Sequence, residues 1–453
     1  MPARFFLETL GCPKNTVDGE KIAAALQADG LVPTTDPGDA QLVVVNTCAF
    51  VEAAREESIE TILALAEARR RGARLVVTGC LAQRYGDELA EALPEVDAVV
   101  GFADAPTIAP VVLRGRAPRG VRDLLELPRA VPGRPWAYLK VAEGCDRTCA
   151  FCAIPSFRGP QRSRRPDAVL TEAAALVGAG VRELVLVAQD LAAYGRDAGE
   201  PGALVGLLRR LEALARDGLA RVRLLYLHPA DLRGPLVEAM LASPVVVPYF
   251  DLSLQHASSR LLRRMRRWGS GERFASLIAG IRRDEPEATF RSGFIVGFPG
   301  ETEDDHLELC TWLSEARLSW AGFFPFSPEE GTPAATMDGR VPHELVVERL
   351  RELSGIQDPI TAAQRDRLVG RRVEVLVDDV GTGGGPDARE RSPGGPPAPT
   401  AVGRTYREAP EIDGVVHLHG DARPRPGALL TVTVTGALGP DLVAAAPAGA
   451  QVA

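Results

Sequence analysis

"CDRTCAFC", residues 145–152, places Cys145, Cys149 and Cys152 in eight positions, spaced C-x3-C-x2-C, with the aromatic Phe151 before the last cysteine. A structural zinc or an all-protein iron–sulfur site takes four ligands. The nearest other cysteines are Cys80 and Cys310, and no histidine stands close. Either a fourth ligand comes from far away or one position of the site is left open. Three thiolates can hold three irons of a cubane cluster and leave the fourth free for a substrate or cofactor, much as catalytic zinc sites keep an open position.

The context of the motif sets the fold. It follows the apolar run "AYLKVAEG", and five more such runs come after it: "RELVLVAQD", "RVRLLYLHP", "PYFDLSLQH", "TFRSGFIVG" and "AGFFPFSP". Each is separated from the next by a helical stretch, so six strand–helix units predict a partial (β/α)6 barrel. Gln189, Asp190, His228, Gln255 and His256 fall at the carboxyl ends of these strands, where such barrels carry their chemistry.

Upstream, "RFFLETLG", "AQLVVVNT" and "ARLVVTG" read as strands, with helices expected at 16–29, about 52–70 and 85–92. Apolar strands alternating with helices indicate a parallel sheet covered on both faces. Cys12, Cys48 and Cys80 each stand just past the carboxyl end of one strand, the sheet edge where ligands bind. Buried cysteine is common, but three placements out of three favour one shared site.

Downstream, "RRVEVLVDDV", "AVGRTYREA", "GVVHLHG" and "LLTVTVTGAL" are short strands without intervening helices, predicting a small antiparallel β-barrel. The α/β chain thus divides into an N-terminal parallel-sheet domain (1–115), a central barrel (130–365) and a C-terminal barrel (366–443). An Arg/Pro/Gly-rich linker is expected over 115–135, a disordered loop at 381–400, and a loose tail at "APAGAQVA".

Composition excludes other classes. With 45% apolar and 25% charged residues the chain is an ordinary globular one. No stretch is apolar enough to span a bilayer, no signal peptide opens the sequence, and the protein reads as cytoplasmic. A net charge of −8 gives no global case for nucleic-acid binding. In a reducing compartment seven cysteines point to metal or redox chemistry rather than disulfides.

The three-cysteine spacing, with the Gly-rich "GFIVGFPGE" of 293–301 that contains Gly297, resembles the radical S-adenosylmethionine (SAM) superfamily. The resemblance implies that the cluster on Cys145, Cys149 and Cys152 cleaves SAM to a 5′-deoxyadenosyl radical. Phe151, Gln189 and Gly297 would then lie around the cofactor. The order of the three domains is similar to the methylthiotransferase family, whose N-terminal trio holds a second 4Fe-4S cluster and whose C-terminal barrel is a TRAM domain. Cys12, Cys48 and Cys80 are the matching positions. One branch of the family, MiaB-like, modifies adenosine in tRNA. The other modifies an aspartate of ribosomal protein S-twelve, and "LGCPKN", "DLSLQHAS" and "REAPEIDG" resemble that branch. The resemblance implies that protein as partner and an electron donor such as flavodoxin or ferredoxin. Trp268 and the length of the loop at 381–400 depart from the family pattern. A sensory or electron-transferring role for the N-terminal trio is the reading from a different class.

Three further features are expected to be structural or ambiguous. Cys310 reads as a buried thiol. The arginines of "RLLRRMRRW" read as a solvated face. Arg158, Arg162, Arg164 and Arg165 suit cofactor or substrate carboxylates. Over 366–443 nine arginines stand against eleven acidic residues, a balance that suits a basic protein partner better than a phosphate backbone.

Overall fold

The computed structural model describes residues 2–109, 123–380, 399–420 and 423–446. The N-terminal sheet is built from β1 (Arg4–Thr9), β2 (Val32–Pro33), β3 (Leu42–Thr47), β4 (Arg74–Gly79) and β5 (Ala98–Val99), in the order β2-β1-β3-β4-β5 and parallel throughout. Helices α1 (Pro13–Ala28), α2 (Glu52–Ala68) and α3 (Cys80–Ala92) cover it. The run Leu42–Val45 is fully buried because both sheet faces are covered. Helix α3 starts at Cys80 rather than near 85. Gly79 has φ +93, and a Cβ on it would lie 2.5 Å from the Thr47 carbonyl oxygen. Glycine therefore lets the strand turn into the helix with no loop between.

The central domain opens with β6 (Trp136–Lys140). A short ribbon of β7 (Ala142–Glu143) with β8 (Arg162–Ser163) brackets the cysteine loop and helix α4 (Ile154–Arg158). Strand–helix units follow: α5 (Pro166–Gly178), β9 (Glu183–Val187), α6 (Ala203–Leu211), β10 (Arg221–Leu227), α7 (Gly234–Ala242) and β11 (Val246–Gln255). They continue through α8 (Ser259–Arg264), α9 (Gly271–Asp284), β12 (Thr289–Val296), α10 (Glu303–Ala316), β13 (Trp320–Pro325) and α11 (His343–Asp366). The strands form one parallel sheet in the order β6-β9-β10-β11-β12-β13, with β6 and β13 left as edges. It is a barrel with one open side, and helix α1 of the N-terminal domain packs on β6.

The C-terminal strands β14 (Arg372–Val380), β15 (Ala401–Arg404), β16 (Val416–His419), β17 (Leu429–Leu438) and β18 (Asp441–Ala445) close into a five-stranded barrel. It departs from a purely antiparallel one at a single pairing, since β16 and β18 run parallel. The segment between β15 and β16 reaches into the central domain. Trp320 Nε1 donates to the Arg407 carbonyl (2.8 Å), Arg223 to that of Tyr406 (2.8 Å), and the Tyr249 hydroxyl to Asp413 (2.6 Å). Val17 of α1, Trp136, Tyr138, Val187, Leu225 and Tyr249 of the strands, and Ala409 of this segment share one apolar cluster.

Apart from its last two positions, the loop expected at 381–400 lies outside the described residues, as do the tail from 447 and residues 115–122 of the expected linker. The rest of that linker is packed. Arg129 pairs with Glu20 and Glu172, and Lys21 donates to the Leu125 carbonyl.

Candidate functional site: two cysteine trios joined by a buried arginine

Strands β1, β3 and β4 are neighbours, so the residues after them meet at one sheet edge. Cys12 caps α1, Cys48 follows β3 and Cys80 opens α3. The loops are laced together by Asn15, whose Nδ2 donates to the carbonyls of Leu10 (2.7 Å), Asn46 (3.2 Å) and Thr47 (3.1 Å). Ser58 accepts from the Cys48 N–H and donates back to its carbonyl. Gly11, at φ +91, makes the approach possible. A Cβ there would stand 2.6 Å from Cys48 Sγ.

The second trio lies in the loop after β7. Cys145 Sγ accepts from the Arg147 N–H at 3.4 Å, and Arg267 Nη1 donates to Cys149 Sγ at 3.5 Å. Ala150 is pinned on both sides, its N–H donating to Met265 and its carbonyl accepting from Ala334. Arg147 is held in turn by Asp190 (2.7 Å) and Asp231.

Arg158 ties the first trio to Glu143 of β7, two positions before the second trio begins. It is fully buried in the network and donates to Cys80 Sγ (3.1 Å), Asn15 Oδ1 (3.2 Å), Asp18 (2.6 Å) and Glu143 (3.1 Å). Lys140 also pairs with Asp18 and Glu143. A cation beside Cys80 Sγ offsets the negative charge that thiolates bring to a metal site.

The thiols differ. Burial pushes Cys12 up, yet Lys14, Arg158 and the backbone N–H groups of Asn15 and Lys14 outweigh it and leave this thiol below its ordinary value. Burial, with Cys12 and Cys80 adding, pushes Cys48 up to about 12. Burial raises Cys80 and Cys145 as well, and takes Cys152 to about 12. All seven cysteines are free. Among the described residues neither trio gathers its three Sγ atoms within 4.8 Å of one another. A structural zinc takes four protein ligands, so three thiols each without a fourth suit an iron–sulfur cluster with one open position better than a single ion.

The other expected residues have these surroundings. Gln189 donates through Nε2 to Glu143 (2.9 Å), while its Oε1 is buried and unpartnered. Phe151 packs against the cluster of Leu261, Met265 and Phe298. Gly297 sits at φ +80 and a Cβ on it would strike Val346 of α11 at 2.4 Å, a packing reason for glycine. His256 Nδ1 accepts from the Ser258 N–H, and His228 Nδ1 from that of Ala230. Cys310 is buried, its Sγ 3.5 Å from His306 Nε2.

Among the arginines, Arg162 pairs with Asp123 and Arg164 with Glu172. In "RLLRRMRRW" Arg260 pairs with Asp305, Arg264 with Asp338 and Arg267 reaches Cys149, so these three are tied down rather than merely solvated. Sequence reasoning missed the bridging place of Arg158, whose partners Asn15 and Asp18 lie about 140 positions upstream.

The comparisons place the chain among known proteins. Residues 139–313 match the radical SAM superfamily, residues 369–446 the TRAM domain, and residues 4–101 the uncharacterized protein family UPF0004. A solved radical SAM methyltransferase, TsrM from Kitasatospora setae, with tryptophan and a SAM analogue, shares the fold. Its TM-score is 0.51 at 14% identity, over 86% of this chain and 80% of its own. The protein is a radical SAM enzyme with an added N-terminal sheet and a TRAM barrel. Relatives named ribosomal protein uS12 methylthiotransferase RimO cover nearly all of it. One from Salinispora tropica is 44% identical over 97% of this chain and 95% of its own length, and one from Moorella thermoacetica 46% over 94% and 95%. The chain belongs to the RimO methylthiotransferase family.

Proposed function

We propose that this enzyme attaches a methylthio group to the β-carbon of an aspartate in ribosomal protein uS12, the S-twelve protein of the small subunit. The observation that carries the reading is the pair of cysteine trios, one on the N-terminal sheet edge and one in the barrel, with Arg158 bonded both to Cys80 and to Glu143 just before the second trio. A 4Fe-4S cluster on each trio and SAM, when bound, supply the 5′-deoxyadenosyl radical and the methylated sulfur. That chemistry suits the target, because the β C–H bond has no acidity that a protein base could exploit.

The chain's own residues prepare the site. Cys145, Cys149 and Cys152 would hold the cluster that supplies the electron for SAM cleavage, and the unpartnered Oε1 of Gln189 would be available to SAM's hydroxyl or amino donors. Phe151 backs the cluster loop, and Gly297 follows β12 at φ +80. Arg158 and Lys140 each pair with both Glu143 and Asp18. The electron comes from a small reductant such as flavodoxin or ferredoxin.

The test is anaerobic reconstitution. The chain should bind about eight irons, and replacing Cys145, Cys149 and Cys152 with alanine should remove about half. Alanine at Cys12, Cys48 and Cys80 should leave SAM cleavage and abolish methylthiolation of uS12. Sulfur insertion surviving in that variant would refute the donor role. Methylthio-adenosine formed in tRNA by the purified enzyme would refute the choice of substrate.

A further inference from the structure

The chain carries 52 lysines and arginines, of which only Lys14, Lys21 and Lys140 are lysines. All three are buried where the N-terminal and central domains meet. Lys21 pairs with Glu172 and donates to the Leu125 carbonyl. Lys140 pairs with Asp18 and Glu143. Lys14 has neither an ion pair nor a hydrogen bond among the described residues, although its side chain is only 6% exposed. Its Nζ lies 3.3 Å from the ring centroid of Tyr226.

That contact fixes where the ammonium points. Tyr226 is near the carboxyl end of β10, the catalytic end of a βα barrel. Its φ of +63 is costly for a bulky residue, and the Asp251 carboxylate holds it there by accepting from the Tyr226 N–H at 2.9 Å. Asp251 is itself committed to Arg291 at 3.0 Å. The ring therefore supports Lys14 without neutralising it. Two positions before Lys14 stands Cys12 of the N-terminal trio, whose thiol feels the Lys14 charge. A buried cation with a π-face on one side and no anion leaves a place for an anion to complete.

We propose that Lys14 recognises the side-chain carboxylate of the target residue, so that its ammonium selects aspartate and sets the β-carbon beside the Cys12, Cys48 and Cys80 trio. The inference rests on the methylthiotransferase reading above and adds the group that selects an acidic side chain. A compact ammonium fits this role better than the planar fork of an arginine, which would have to lie flat on the same ring. An otherwise arginine-dominated chain keeps lysine here.

The experiment measures the dissociation constant of the reconstituted holoenzyme for uS12 and for uS12 with its target aspartate changed to asparagine. The unsubstituted enzyme should prefer the aspartate form by roughly ten- to hundredfold, the range of a charge-assisted hydrogen bond. Lys14→Met should bring the two forms within about twofold, with iron content retained. Equal affinity of the unsubstituted enzyme for both forms overturns the proposal, and this arm does not depend on the variant folding. A full preference surviving in Lys14→Met overturns it too. Weaker SAM binding by the variant with undiminished preference would assign the ammonium to SAM's carboxylate and also overturn it. If the unsubstituted enzyme binds neither form of uS12, the methylthiotransferase reading itself falls, an outcome distinct from binding without discrimination.

Discussion

Gly11 and Arg158 show how single residues decide the site. The Gly11 backbone has φ +91 and would carry a Cβ 2.6 Å from Cys48 Sγ. Gly11→Ala must push Cys48 away from Cys12, and we expect reconstituted iron to fall from about eight to about four per chain, read by iron assay, with the barrel cluster retained. Arg158 is compensated by Asp18 and Glu143. Arg158→Met would leave those carboxylates short of their cation in a dry interior, a loss of about 3–5 kcal/mol. The expected readout is a lower urea midpoint in the cluster-free protein, where no iron ligand complicates the comparison. A midpoint unchanged by the substitution would mean that Lys140 suffices for both carboxylates.

Elements position these residues through their ends. Each cysteine of the N-terminal trio marks a strand-to-helix turn, and the β1-β3-β4 adjacency turns three remote positions into neighbours. In the barrel the junction of β11 and α8 carries His256, fully buried, with Nδ1 bonded to the Ser258 N–H and Nε2 unpartnered. Burial lowers this imidazole to about 3, against about 6.5 in an unfolded chain. The folded state therefore resists a proton that the unfolded state accepts. The stability this contributes is intact above pH 6.5 and is lost as pH falls toward 3, at about 1.4 kcal/mol per pH unit. His256→Gln should lose that part of the slope. Between pH 6.5 and 5.5 its urea midpoint should fall less than that of the unsubstituted chain, and parallel curves would show that His256 does not titrate in this window.

At the scale of the whole molecule, the TRAM barrel is built into the central domain. Arg404 is buried between Glu183 of β9 and Asp378 of β14, while Glu183 also holds Arg223. Arg365 of α11 pairs with Glu408, and the Tyr249 hydroxyl with Asp413. These contacts predict that the two domains melt together. A chain ending at residue 366 should show a melting temperature lowered by several degrees, because it takes Arg404 from Glu183, the Tyr406 carbonyl from Arg223, Asp413 from Arg291 and the Arg407 carbonyl from Trp320. Arg404→Met in the full chain should split one calorimetric transition into two. A single unchanged transition would show that the remaining contacts, Arg365 with Glu408, Tyr249 with Asp413 and the apolar cluster around Ala409 and Trp136, suffice for the coupling.

The sequence by itself determined the elements and their order. Strand and helix periods are local, so six βα units, a parallel N-terminal sheet and a set of helix-free strands are legible in the sequence. The three-cysteine spacing was legible for the same reason, since Cys145, Cys149 and Cys152 share one loop. Placing Cys12, Cys48 and Cys80 at strand ends needed only the parallel-sheet rule. What tertiary structure decided is which charges face which. Arg158 read as a cofactor anchor because nothing in "SFRGPQRSRR" reveals that Asp18, Asn15 and Cys80 lie against it. In "LGCPKN" Lys14 read only as part of the resemblance to one family branch, because its isolation over Tyr226 depends on how two domains pack. The charge count of the C-terminal barrel likewise could not tell that Arg404, Glu408 and Asp413 are spent on internal contacts. Local periodicity follows from backbone geometry, whereas the pairing of buried charges follows from long-range packing that no short window contains.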